Sequence, residues 1–334
     1  MELQLGLFKL LGENAFITGI TISGNIKSSW FAGAIAGECL QGARISDCIN
    51  YANITGHTAV GGISGGSTKV EKCKNYGKIT LTGSSWDYGG AGGINGMMSG
   101  GENTEYIVND CTNYGDIQGY YNVGGIVGCS STGSAILNNC KNTGRINCIN
   151  QTRASAGGIL GWQRYGNLKI VNSYNTGEIV GNYMQGGIIG RASGPSWGTE
   201  IITSINNCWN IGSINSSNNA SGGIIGGQGT IAAKNYLYIN NSWNLGRLEG
   251  KPVGQVIGKI ETSTSTETKT EFENVYCEGT AIGTGALTSG EATQKTAPEM
   301  KSQSFIDLLN SNIGTNTDWK RWKLGKDGYP TFEE

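Results

Sequence analysis

The stretch Ile205-Asn-Asn-Cys-Trp-Asn-Ile-Gly-Ser-Ile214, followed by Gly222-Gly-Ile-Ile-Gly226, decides how this chain is read. It holds two phrases, N-C-x-N-x-G-x-I and G-G-I-x-G, that recur along most of the sequence. The second Asn of the first phrase falls at Asn50, Asn75, Asn113, Asn142, Asn175, Asn210 and Asn244. The Ile of the second falls at Ile35, Ile63, Ile94, Ile126, Ile159, Ile188 and Ile224, with Val256 as a decayed eighth copy. Successive isoleucines are 28 to 36 residues apart. A period near 30 with variable connections marks a solenoid, one repeat per coil.

Each repeat contains three strand-like pieces: x-I-x-N-C-x-N, then G-x-I-x-G, then G-G-I-x-G. All are too short for helices and are bounded by Gly or Asn. The expected architecture is all-β, a three-sided parallel β-solenoid of about eight coils over residues 1–258. Coils at about 4.8 Å give a rod roughly 40 Å long. The chirality of parallel connections favours a right-handed β-helix. Residues 259–334 read as a polar loop (Glu261–Glu271), a last strand (Phe272–Cys277) and a small C-terminal helical cap.

Alternation within strands assigns the faces. Cys48, Cys73, Cys111, Cys140, Ser173, Cys208 and Ser242 form one inward ladder. Interchange of Cys with Ser asks for a small side chain and argues for buried structural thiols, with an oxidised neighbouring pair as the alternative. Ile54, Ile79, Ile117, Ile146, Ile179, Ile214 and Leu248 form a second ladder, and Ile63 to Ile224 a third. The three are expected to make one continuous core. The asparagine ladder is placed where a strand turns a corner. There Asn tolerates the left-handed conformation and stacked amides bond from coil to coil.

Composition excludes several functions. Gly is 56 of 334 residues, against roughly 7% in average chains, yet apolar residues recur at fixed places between the glycines. Lys and Arg total 24 and Asp and Glu 25, for a net charge of −1. No basic field exists to attract nucleic acid or an anionic membrane surface. No apolar run approaches a membrane span, and Met1–Leu11 lacks the pattern of a signal peptide. The single histidine, His57, removes most His-dependent metal and triad chemistry. No metal and no cofactor is expected.

Near the ends the repeats fade. Gly6–Gly12 and Ala15–Gly24 read as a degenerate coil without a polar end cap, and further coils are expected to precede Met1 in a longer protein. Thr296-Ala-Pro-Glu299 reads as a capping box. A helix is expected near Pro298–Asn310, covering the open end of the core, with Trp319, Trp322, Tyr329 and Phe332 completing the cap.

The tandem phrases from about Ile35 to Gly258 resemble the GLUG-motif repeats. Those repeats occur in bacterial surface adhesins and beside the catalytic domain of zinc-dependent IgA peptidases. The ending Ser304-Phe-Ile-Asp-Leu-Leu-Asn310, Trp319 and Gly328-Tyr-Pro330 is similar to the tail that closes such arrays. The resemblance implies an exported bacterial β-solenoid, extracellular or at the cell surface. It carries over no catalytic residue, because the peptidase zinc motif has no counterpart here.

Binding candidates come from outward positions. On the first strand these read Ile49, Lys74, Thr112, Lys141, Tyr174, Trp209, Trp243. The last three form an aromatic strip suited to stacking on sugar faces, unless a loop or the cap covers them. Variable segments Met97–Tyr106, Trp162–Lys169, Arg191–Thr203 and Gln228–Tyr238 read as loops on one edge. They carry Tyr106, Trp162, Tyr165, Trp197, Tyr236 and Tyr238. Val127, Leu160, Ile189 and Ile225 are either an outward apolar stripe for a second subunit or simply core. Lys78, Asp116, Arg145 and Glu178 alternate in sign on the second strand and read as a charge ladder, not a catalytic set. Asp87 and Glu102 are acids with no visible partner.

The reading is therefore a non-enzymatic scaffold for adhesion or ligand binding. Its expected partners are a host or environmental glycan or protein, a second copy of the chain, or flanking domains. The alternatives are a β-helix polysaccharide lyase or hydrolase and a passive stalk.

Overall fold

The computed structural model describes every residue except 1–3, 67–68, 84–88, 99–100, 102, 151–153, 193–199, 218, 230–233, 262–266 and 334. The chain winds into a parallel β-solenoid. Among the described residues its strands stack into one sheet of 17 strands, one of 10 and two of 8, with a separate two-stranded hairpin. The first phrase builds the 17-stranded sheet and the second builds an 8-stranded sheet. The third phrase supplies two strands where the sequence suggested one. In one repeat these are Ser155–Gly157 and Leu160–Gln163, which enter different sheets on either side of Gly158-Ile159.

That corner settles the residues after each isoleucine. Ile126 and Val127 are both fully buried, as are Ile159 with Leu160 and Ile188 with Ile189. The Gly-Gly pair breaks the alternation, so Val127, Leu160, Ile189 and Ile225 are core and do not form an outward stripe.

The first strand is also broken, just before its cysteine. Asp47, Lys72, Asp110, Asn139, Asn172, Asn207 and Asn241 all have φ between 45° and 55°. Asn and Asp bear this left-handed conformation best. It therefore belongs to the residue before the Cys, not to the later Asn of the ladder. The kink frees a carbonyl that the next side chain satisfies. Cys208 Sγ donates to Asn206 O at 3.1 Å, and Ser173 Oγ and Ser242 Oγ donate to Val171 O and Asn240 O at 2.8 Å. The same atom accepts from the coil before, as in Cys140 N to Ser173 Oγ at 3.0 Å. A small donor–acceptor side chain is what the site needs, and Cys and Ser both meet that need. All nine cysteines are free and buried. Burial pushes the Cys129, Cys148 and Cys208 thiols up to about 12.

The interior is divided. One core joins Cys48, Cys73, Cys111, Cys140 and Cys208 to the isoleucines of the third phrase. A second joins Ile54, Ile79, Ile117, Ile146, Ile179 and Ile214 to Ala and Val of the adjoining sheet. The expected single core is two because a polar wall runs between them. Asn50 Nδ2 donates to Asn75 Oδ1, and the pattern repeats through Asn113, Asn142, Asn175, Asn210 and Asn244 at 2.7–2.8 Å. Each amide also donates to a backbone carbonyl two residues on, as Asn142 does to Gly144 O at 3.0 Å. Opposite each amide from Asn75 to Asn244 lies the second Gly of G-G-I. A Cβ on Gly158 would stand 2.1 Å from Gly187 O and 2.4 Å from Asn175 Cβ. This contact ties the two sequence phrases together: a buried amide needs a bare backbone beside it. The wall ends at Gln255, whose Oε1 accepts from Asn244 Nδ2 at 2.7 Å. Gln255 stands where earlier coils carry that second Gly.

Strand pairing runs past Gly258. Glu267–Cys277 forms an 11-residue strand along Lys234–Asn244, so the later part of the expected polar loop is strand. Residues 262–266 of that segment lie outside the described residues.

The cap contains two helices, α1 (Ala297–Met300) and α2 (Gln303–Ser311). The capping box forms: Thr296 N donates to Glu299 Oε2 at 2.7 Å, and Glu299 N donates to Thr296 Oγ1. Ser302 then accepts from Phe305 N at 3.2 Å and starts the second helix. The cap does not sit over the end of the core as expected. It folds back along the side of the 17-stranded sheet, where Phe305, Ile306, Leu309, Trp322 and Phe332 pack with Trp209, Trp243 and Tyr276.

Candidate ligand-binding face

The 17-stranded face has two halves with the same backbone and different fates. In the C-terminal half, Tyr174, Trp209 and Trp243 stack in register, with ring centroids 4.2 and 5.2 Å apart. The strip forms as the alternation implied, but the cap covers it. Trp209 keeps 4% of its surface exposed and Trp243 none, and Tyr174 is half-buried. The left-handed asparagines clamp the cap in place. Asn172, Asn207 and Asn241 donate to the carbonyls of Asp318, Lys320 and Leu309 at 2.8–3.1 Å. Lys320 N and Trp322 Nε1 donate back to Asn172 Oδ1 and Asn207 Oδ1 at 2.8 and 2.7 Å.

The other predicted aromatics are dispersed. Trp162 lies on a strand, not a loop, and is buried beside Phe31, Met97 and Cys129. The guanidinium groups of Arg164 and Arg191 lie 5.5 and 5.7 Å from its ring. Tyr165 is half-buried against Arg164, Tyr106 is fully buried, and Tyr236 and Tyr238 are half-buried in a strand. Trp197, Asp87 and Glu102 lie outside the described residues. Of the charge ladder one ion pair forms, Arg145 Nε with Glu178 Oε2 at 2.7 Å, while Asp116 Oδ1 accepts from the backbone N–H of Arg145 at 3.2 Å.

The N-terminal half of the same face has no cap over it, and it carries a ladder the sequence reading missed. Tyr51, Tyr76 and Tyr114 each follow a ladder asparagine. Their rings stack at 4.9 and 4.6 Å with planes within 12°. They remain 52%, 39% and 44% exposed. The visible signal was the thrice-repeated Asn-Tyr at Asn50-Tyr51, Asn75-Tyr76 and Asn113-Tyr114. Partial burial, then the neighbouring Tyr114 phenol, hold the Tyr76 phenol above its ordinary range.

Beyond Tyr114 the ladder position is held by Thr143 and Thr176, then by half-buried Ile211. A surface hollow of about 350 Å³ opens there, lined by Thr143, Thr176, the edges of Tyr174 and Trp209, and the hairpin turn from Gly325 to Thr331. A second hollow of about 560 Å³ lies at the other flank of the cap. It is lined by amides and by Lys169, Glu273, Asp318 and Trp319. Its charges are engaged, Lys169 with Asp318 at 3.4 Å and Glu273 with Asn240 Nδ2 at 2.7 Å. Among the described residues no group of three or more His, Cys, Asp or Glu gathers to hold a metal ion.

No protein-family model matches the chain, and no curated protein matches it in sequence. A solved structure from Bacteroides ovatus, described as a candidate immunoglobulin A1 protease, shares the fold. It is 19% identical, with a TM-score of 0.53 over 88% of this chain and 87% of that one. Similarity at that identity speaks to the solenoid architecture alone.

Proposed function

We propose that the chain is a non-enzymatic glycan-binding scaffold, exported by a bacterium and displayed outside the cell. The observation that carries this reading is the exposed, stacked ladder Tyr51–Tyr76–Tyr114. Exposed aromatic arrays mark contact surfaces, and Tyr offers an apolar ring and a hydroxyl together. The near-neutral chain and the mixed signs around the ladder favour a neutral partner over a polyanion. The GLUG-like phrases support an exported adhesin-type repeat, and the fold shared with the Bacteroides ovatus protein is consistent with it.

The lyase or hydrolase alternative needs acids converging on a bound polymer. On this rod Asp116 and Glu178 are held by Arg145. The test is incubation of the pure protein with neutral polysaccharides, following both retention and chain length. Retention without shortening is the expected result. Shortened polymer would replace the reading with an enzyme, and no retention would leave a protein ligand or a stalk.

A further inference from the structure

The tyrosine ladder stops in a particular way, and the way it stops points to a subsite. Stacked rings cover one another's faces. Tyr76 is sandwiched between Tyr51 and Tyr114, so it shows solvent only its edge and hydroxyl. A sugar ring stacks by laying its C–H face on an aromatic face, and the interior of this ladder has none to give. The free faces are at its two ends. One is the face of Tyr114 that looks toward Thr143, since Thr112 and Asn113 pair with Lys141 and Asn142 on the next coil.

On that side two successive ladder positions hold threonine, which leaves a gap of about 10 Å along the rod. The far wall of the gap is the cap hairpin. The hollow, whose lining begins at Thr143 on the coil next to Tyr114 and does not include Tyr114 itself, offers the Thr143, Thr176 and Thr331 side chains, together with Lys326 and Asp327. Its polar groups are of both signs and its floor is the stacked pair Tyr174–Trp209. An aromatic face, a slot the thickness of the missing rings and a ring of mixed hydrogen-bonding groups suit one kind of ligand: a flat, neutral, polyhydroxylated ring.

We infer that the gap at Thr143 and Thr176 is a subsite for the terminal hexopyranose of a neutral glycan, which enters the ladder in place of the next ring and stacks on Tyr114. This deepens the glycan-binding reading and rests on it.

The experiment is titration calorimetry with cellohexaose, chitohexaose and lacto-N-neotetraose, which end in glucose, N-acetylglucosamine and galactose. The decisive variant is Thr143→Tyr, which extends the stack and fills the slot without disturbing the core. For at least one sugar, binding by the wild type and a tenfold or greater loss in Thr143→Tyr is expected, with the melting temperature unchanged or raised. Tyr114→Ala should lose a similar factor, Tyr51→Ala less than threefold, and Thr143→Ala should retain binding. Wild-type binding that Thr143→Tyr keeps or strengthens would overturn the subsite and leave glycan binding along the ladder edge standing. Failure of the wild type to bind all three sugars would overturn both.

Discussion

The two halves of the 17-stranded face differ in what lies on them, not in how they are built. Both present a stacked aromatic ladder at coil spacing, and both carry a row of left-handed residues before the cysteine. In the C-terminal half those residues are Asn172, Asn207 and Asn241, whose amides bond to the cap. In the N-terminal half they are Asp47, Lys72 and Asp110, and no cap lies over them. A carboxylate or an ammonium cannot both donate and accept as an amide does. The three capped positions thus carry amides and the three open ones carry charges, with Asn139 between them donating to Asp110 and not to the cap.

Substitutions that strike one half and spare the other test this contrast, and the largest effect is expected under the cap. Trp322 is buried against Trp243 and Phe332 and donates to Asn207. Trp322→Ala should weaken cap docking by about 3–5 kcal/mol, the range for deleting a buried indole. Hydrogen exchange should then rise in α1, α2 and the hairpin while the Tyr51–Tyr114 coils stay protected. Loss of protection in those distant coils would mean that the halves are one cooperative unit.

Asn142→Ala cuts the amide wall at the boundary between the halves. It removes the acceptor of Asn113 and the donor to Asn175, and each buried group left unpaired costs about 1–3 kcal/mol. A fall in the denaturant midpoint, largest for the coils on either side of Asn142, is the expected outcome. A variant as stable as the parent would show the amides to be passengers.

On the open half Tyr76→Ala removes two stacking contacts from an exposed ladder. Such pairs contribute roughly 0.5–1.5 kcal/mol, so a shift of only a few degrees is expected in calorimetry. A shift as large as that of Trp322→Ala would contradict the division.

Acid should act on the cap first. Hydrogen bonds from the Thr296 hydroxyl and N–H hold the Glu299 carboxyl below its ordinary value. A depressed folded value means this stabilisation is complete above about 4.5 and is lost as pH falls through the folded value. Circular dichroism should show helix signal lost before strand signal on acidification, and Glu299→Gln should flatten that difference. Smallest of all is Cys140→Ser, since Ser173 and Ser242 already do the same task in other coils. The variant should melt within about 1 kcal/mol of the parent on the usual scale of conservative changes.

Much of this was readable in the chain. The period, the inward Cys and Ile positions and the asparagine ladder follow from spacing and alternation. The capping box at Thr296 follows from local chemistry. What was misread lies where alternation breaks. At the Gly-Gly corner two adjacent side chains both turn inward, so Leu160 looked ambiguous. Before the cysteine a left-handed residue resets the alternation, and Lys72 in that row hid the signal that Asp and Asn carried elsewhere. The cap's position against Trp209 and Trp243 is a long-range pairing that no local pattern specifies. The exposed ladder was visible as Asn-Tyr repeats, but its tyrosines lie one residue past the strands that end at Asn50, Asn75 and Asn113, where alternation gives no signal.

The amide wall also has an end written into it. At Gln255 the bare backbone of earlier coils gives way to a side chain that accepts the last asparagine's proton, and the residue paired with Asn244 on the next strand is Cys277. This is punctuation as well as stability. A repeat duplicated anywhere between Asn50 and Asn244 finds an amide above and below and joins the array. A repeat inserted after Gln255 meets a donor already taken and a glutamine where it needs glycine. The solenoid can therefore lengthen from within over generations while its C-terminal boundary, and the cap that follows, stay where they are.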